Sequence, residues 1–274
     1  MVRPGLFGKL PAAGDFVSRG FSATLCDKLD GVIQVALVAA AGESGDTRQV
    51  LGNAPPLMIG IRAGALCETG FLGLWLPSCD RVGRAFPLCV GYELPAATAG
   101  TLPWPSHGLA METLRTSADA IRGEIGPDEL VARLATGDEL EAARLREMPF
   151  ANTGDDTVPN LYDSSSLFAL QGPEQRMSIG VRALAGRLPW IVQALGSIVR
   201  GDGQLDWFFG IRNFPAGNAV AALFDLKWEH WCWSVTRCDE SVDDDATIPP
   251  SVVGTADASH GNEPILPETD RNSP

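Results

Sequence analysis

The chain is short of the features that name a chemistry or an address outright. Its longest apolar run, Val32 to Ala41, is interrupted by Gln34 and spans ten residues, about half of what a bilayer-crossing helix needs. The first five residues hold one basic side chain and then Pro and Gly breakers, so no export signal is expected. Only three histidines occur, His107, His230 and His260, and none stands at metal-ligand spacing. The six cysteines, at 26, 67, 79, 89, 232 and 238, form no CxxC pair. Without an export signal they read as free thiols, with Cys67, Cys79 and Cys89 beside apolar runs as small hydrophobes. Positive charge is scarce as well: 21 Lys and Arg face 34 Asp and Glu, a net charge of -13. An acidic surface repels phosphate backbones, which argues against a nucleic-acid partner. These absences describe a cytoplasmic protein that does not insert in a membrane and needs no cofactor.

What is present is ample core material and an uneven charge distribution. The 274 residues are 45% hydrophobic, with seven Trp and eleven Phe, enough for one large domain. Residues 1–93 carry eight basic and eight acidic side chains, so the excess lies beyond them. Residues 239–274 carry nine acidic side chains against Arg271 alone, among repeated Pro, Gly and Ser. That composition offers too little apolar surface to offset ordering entropy, and a disordered acidic tail is expected there.

Periodicity over 1–238 predicts one α/β domain. Short strands are expected at Gly5–Leu10 and Asp15–Ser18, then a helix from Ser22 to Ala41 with Ser22 as its cap. A loop over Gly42–Asn53 leads to strands at Leu57–Arg62, Thr69–Leu76 and Ala85–Leu94. These runs are apolar on both faces, so helices should cover both sides of the sheet. Two helices follow, over His107–Arg122 and Asp128–Glu147. Strands are expected again at Ser165–Leu170, Met177–Leu184, Trp207–Ile211 and Trp228–Val235, with helices over Leu188–Arg200 and Pro215–Phe224. The sheet reads as mixed and largely antiparallel.

Two segments concentrate charge at turns. The first is Gly5-Leu6-Phe7-Gly8-Lys9-Leu10-Pro11-Ala12-Ala13-Gly14-Asp15-Phe16-Val17-Ser18-Arg19; the second is Leu76-Pro77-Ser78-Cys79-Asp80-Arg81-Val82-Gly83-Arg84-Ala85-Phe86-Pro87-Leu88. Gly5-x-x-Gly8-Lys9 is not a phosphate loop, because two residues separate the glycines where four are needed and Leu10 stands where Ser or Thr would reach magnesium. Asp15 and Asp80 are natural turn residues, and Arg81, Arg84 or Arg19 can pair with them. Charges held inside apolar surroundings must find partners, so a structural network is the plainer account and a recognition or catalytic site the sharper one. No Gly-x-Ser-x-Gly elbow occurs, and Ser164–Ser166 lies in a polar stretch before a strand. The aromatic run Trp228-x-x-Trp231-x-Trp233 reads as core packing in preference to a partner-binding patch.

The two segments resemble the signature segments of TagF, a family of accessory proteins of bacterial type VI secretion. The resemblance rests on Gly-Lys-Leu-Pro and Gly-Asp-Phe-Val near the start and Pro-Ser-x-Asp-x-Val-Gly-Arg-x-Phe-Pro-Leu later, in the same order and at similar separation. It implies a three-layer α/β/α sandwich without catalytic activity. It also implies a posttranslational repressor of secretion, associated with the system's forkhead-associated scaffold protein. The positions carried over are Gly8, Lys9, Pro11, Gly14, Asp15, Arg19, Ser78, Asp80, Arg81, Gly83 and Arg84, as a structural or partner-binding motif. The competing expectation is a hydrolase or nucleotide-binding protein that uses Asp15, Asp80, Arg81 and Arg84.

Overall fold

A computed structural model describes residues 2–98, 107–136, 167–171, 192–199 and 205–237. The first strand, β1 (Arg3–Gly8), turns into a short β2 (Val17–Arg19). Helix α1 (Ala23–Ala41) follows, and the Ser22 hydroxyl caps it by accepting from the Leu25 amide at 3.3 Å. A second helix, α2 (Thr47–Asn53), is capped in the same way by Asp46. Strands β3 (Leu57–Ile61), β4 (Gly70–Leu76) and β5 (Leu88–Leu94) are buried along their whole length. Helices α3 (His107–Ile121) and α4 (Pro127–Thr136) come next. The remaining strands are β6 (Leu167–Gln171), β7 (Ala194–Val199), β8 (Leu205–Ile211) and β9 (Ser234–Arg237).

Among the described residues these strands form one sheet in the order β2-β1-β5-β4-β3-β7-β8-β6-β9. Every pairing is antiparallel except β6 with β9, so the sheet is mixed. The alternation of side chains along a strand divides the core in two. Phe7, Leu57, Ile59, Phe71 and Trp75 point to one side and pack with Leu25, Leu29, Ile33 and Leu37 of α1. Leu6, Met58, Leu72, Leu74 and Val90 point to the other and pack with Leu109 and Ala110 of α3 and Leu130 and Leu134 of α4. Helices therefore lie on both sides of the sheet, which is why β3, β4 and β5 read as continuous apolar runs.

Four expectations fail in whole or in part. The segment expected as a helix over 188–200 contains β7, paired on one edge with β3 and on the other with β8. Tertiary pairing wins there: Ile198 and Val199 are β-branched, and Gly196 leaves room for the Phe209 ring, which a Cβ would meet at 2.0 Å. The loop expected over Gly42–Asn53 contains a 3₁₀ turn (Gly42–Ser44) and α2, because Asp46 supplies a cap that the polar composition hid. The aromatic strand expected over Trp228–Val235 is mostly a turn. Trp228 and Trp233 are buried in it with ring centroids 4.9 Å apart, and Trp231 is half-buried, its indole N–H donating to Asp225. Core packing is thus right for Trp228 and Trp233. The helix expected over Pro215–Phe224 is a 3₁₀ turn (Gly217–Ala221) running into a single α turn (Ala222–Asp225). The strand expected at 177–184, the end of the helix expected to reach 147, and the acidic tail at 239–274 lie outside the described residues.

Candidate functional site

The two charged segments meet at one end of β1. Gly8 closes that strand with φ at 132°, where a Cβ would stand 2.0 Å from the Pro87 carbonyl oxygen, so only glycine lets the chains run this close. The next residue, Lys9, is therefore turned inward. It is 7% exposed, and its ammonium lies 3.4 Å from the Asp80 carboxylate. Lys9 also sits 5.0 Å from the centre of the Phe16 ring, a cation–π contact that ties the second half of the segment to the first.

Asp80 is the hub. It is 2% exposed, yet both carboxylate oxygens are satisfied. Oδ1 accepts from the amides of Val82 at 3.1 Å and Arg84 at 2.9 Å, and Oδ2 accepts from Arg84 Nε at 2.6 Å. Burial alone would raise its pKa; the backbone and guanidinium hydrogen bonds from Arg84, with the charges of Arg84 and Lys9, overcome that and hold it at about 2. The bonds to Val82 and Arg84 wrap the chain into a turn, which Gly83 completes with φ at 84°. The bridge between Cys79 and Ala85 closes its base.

Arg84 then reaches out of the turn. Its Nη2 donates to the Gly14 carbonyl at 2.8 Å and lies 3.7 Å from Asp15 Oδ1. Two further bonds fasten the segments together: the Arg81 amide donates to the Ala13 carbonyl at 2.8 Å, and Ser78 Oγ donates to the Lys9 carbonyl at 2.7 Å. Arg84 thus links Asp80, inside, with Asp15, which is exposed and also accepts from the Phe16 amide. Gly8, Lys9, Gly14, Asp15, Ser78, Asp80, Arg81, Gly83 and Arg84 are brought together. Arg19 is not: its guanidinium pairs with Asp128 at the start of α4, at 2.6 Å. Pro11 lies beside the turn that follows α3, where a Cβ on Gly123 would touch it at 3.4 Å.

Sequence reasoning missed two groups of residues. Phe16, at 44% exposure, and Val82, at 69%, are large apolar side chains left in solvent on the joined turns. Phe16 stacks on Phe7 and meets Phe86 edge-on at 4.8 Å, so its ring is held in place although one side is open. The available signal was an apolar residue inside each charged turn. The second missed group is Glu93, a charged residue one position from the end of β5. It is 1% exposed and accepts from the Ser22 amide, the Ser22 hydroxyl and Arg3. Burial would raise its pKa, but the hydrogen bonds from Ser22 and Thr69 and the Arg3 charge lower it below the usual value.

Among the described residues, no group of three His, Cys, Asp or Glu side chains is placed to share a metal ion, and no helix is long and apolar enough to cross a membrane.

The family model of the TagF N-terminal domain, described as type VI secretion system-associated, matches residues 5–136. The chain carries a TagF N-terminal domain. Both charged segments, β2 to β5 and helices α1 to α4 lie within the match, which begins inside β1 at Gly5. No curated protein matches the chain. Among solved structures, the chain is similar to PA0076 from Pseudomonas aeruginosa PAO1, with a TM-score of 0.53 and 21% identity. That similarity covers 82% of this chain and 94% of the other, and at this identity it speaks to the fold alone. The TagF domain makes this a type VI secretion-associated protein.

Proposed function

We propose that this protein is a non-enzymatic, posttranslational repressor of type VI secretion, acting in the cytoplasm by binding a component of the secretion system, the forkhead-associated scaffold being the favoured partner. In this reading the described helices on the two sides of the sheet are the outer layers of a three-layer sandwich that presents the joined turns. One observation carries it: Lys9, Asp80 and Arg84 of the TagF segments are committed to holding the two turns against each other. The Asp80 carboxylate is saturated by Arg84, Val82 and Lys9, so it has no lone pair aimed at a substrate. A side chain so fully satisfied makes a rigid scaffold and a poor general base.

Overproduction of the full chain in a strain with an active system should suppress export of the secreted tube protein while its cellular level stays normal. Deletion should raise export. Unchanged export in both strains would defeat the proposal. A hydrolytic activity of the purified chain that is lost in Asp15→Asn would replace it with the enzymatic alternative.

A further inference from the structure

We infer that the joined turns are a docking surface for an acidic protein segment with an apolar anchor, received by Arg81, Arg48, Phe16 and Val82. The inference rests on the repressor reading for its biological meaning, but its geometry stands on its own. Four observations lead to it. First, Phe16 and Val82 are among the few large apolar side chains left in solvent, and both stand on loops clamped together by Arg84 and by the Arg81 amide. Second, the guanidinium of Arg81 lies over Gly14, where a Cβ would meet its Nη2 at 3.2 Å, and that of Arg48, reaching from α2, lies 3.9 Å from where a Gly83 Cβ would be. Third, among the described residues neither Arg48 nor Arg81 makes an ion pair, a state shared with Arg115 and Arg212, whereas Arg3, Arg19, Arg84, Arg122 and Arg133 are paired. Fourth, the protein as a whole is strongly acidic, at -13, so two unpaired guanidinium groups beside open apolar side chains form a local exception.

The chemistry of the occupant follows. Guanidinium groups favour carboxylates through paired, directional hydrogen bonds. The Phe16 ring and Val82 favour an apolar side chain of the partner, the composition of a hot spot with a polar rim. Nucleic acid fits badly, because two guanidinium groups beside open apolar side chains are not the run of basic side chains that a phosphate backbone needs. The underlying clamp keeps the surface ordered before binding: Phe16 is held by Phe7, Phe86 and Lys9, and Arg84 by Asp80. Such order reduces the entropic cost of association.

The test uses the full chain in cells with an active secretion system, with a photocrosslinking benzoylphenylalanine placed at Val82 or, as a control, at the equally exposed Val38 of α1. The expected result is a crosslink from position 82 and not from 38, mapping to an acidic segment of one protein. Arg81→Glu or Phe16→Ser should weaken it at least about tenfold, as expected for a hot-spot residue. Each variant's melting midpoint, measured on purified protein, shows whether it is folded. Repression that is intact with no crosslink at 82, or a crosslink unaffected by folded Arg81→Glu, would overturn the docking surface and leave the repressor reading standing. A crosslink at 82 that depends on Arg81, in a strain where the protein does not alter secretion, would support the surface and defeat the repressor reading.

Discussion

Replacing Glu93 by Gln tests whether a buried carboxylate, and not apolar packing alone, fixes α1 against the sheet. Glu93 receives the Ser22 amide at 2.7 Å and the Ser22 hydroxyl at 2.6 Å, and Ser22 in turn caps α1. The Arg3 guanidinium donates to the same carboxylate at 2.9 Å. An amide keeps the shape but removes the charge and one acceptor oxygen. Hydrogen bonds to a charged group contribute about 1.5–3 kcal/mol and neutral ones about 0.5–1.5, so each of the two Ser22 bonds should weaken by about 1 kcal/mol. The Arg3 side chain is half exposed, and its contribution is screened to between about 0 and 1 kcal/mol. The total is about 2–3 kcal/mol, or about 4–12 °C in melting midpoint at about 2–4 °C per kcal/mol for a chain of this class.

The pH dependence supplies a second check. The folded pKa of Glu93 is lowered, so its contribution is complete above the unfolded value of about 4.3 and is lost as the pH falls through the folded one. The gap between parent and Glu93→Gln should therefore be widest near neutrality and close below about pH 4. Differential scanning calorimetry of both proteins from pH 7 to pH 3 measures it. A neutral-pH difference below about 1 °C, or one that persists unchanged in acid, would refute the argument, since the smallest loss worked out above is larger.

The legible parts of the fold are those where local pattern and tertiary demand agree. Leu25, Leu29, Val32, Ile33, Ala36 and Leu37 recur at helical spacing and are all buried in α1. The continuous apolar runs of β3, β4 and β5 follow from burial on both faces, and their hairpins are local in sequence. The misses come where distant neighbours decide. Residues 194–199 become a strand because β3 and β8 offer two open edges, and nothing within that segment records either. Trp228 to Trp233 folds into a turn whose rings are organised by Trp207 and Phe209, again from outside the segment. At the site, residue types announced a charged network, and Asp80 and Arg84 are its centre. Arg19 was misplaced because its partner, Asp128, lies 109 residues away. Phe16 and Val82 were overlooked because apolar residues in a sequence are taken for core, and only coordinates distinguish an apolar side chain that faces solvent.

Two further predictions test the packing and the hub. Gly196→Ala would place a methyl group 2.0 Å from the Phe209 ring, and overpacking of this kind costs about 1–3 kcal/mol; chemical denaturation should record it, and an unchanged midpoint would show that the ring moves aside freely. Asp80→Asn should lower the stability of the protein at neutral pH and weaken any function of the joined turns, because an amide cannot accept from the Arg84 guanidinium and from the Val82 and Arg84 amides while facing Lys9. The sign of its pH dependence is fixed by a folded pKa of about 2. A carboxylate lowered below its unfolded value stabilises fully above that value, near 3.9, and progressively less as the pH falls toward the folded one. The parent should therefore lose its advantage over Asp80→Asn between about pH 5 and pH 2. The Lys9→Met variant provides the complementary arm. Removing that cation takes away one source of the lowered pKa, so the acid loss of stability should still begin near the unfolded value but be smaller, and be complete at a higher pH, than in the parent. An advantage that grows as the pH falls, or an acid transition in Lys9→Met identical to the parent's, would mean that Asp80 is not held ionised by Arg84 and Lys9, and the two turns would need another clamp.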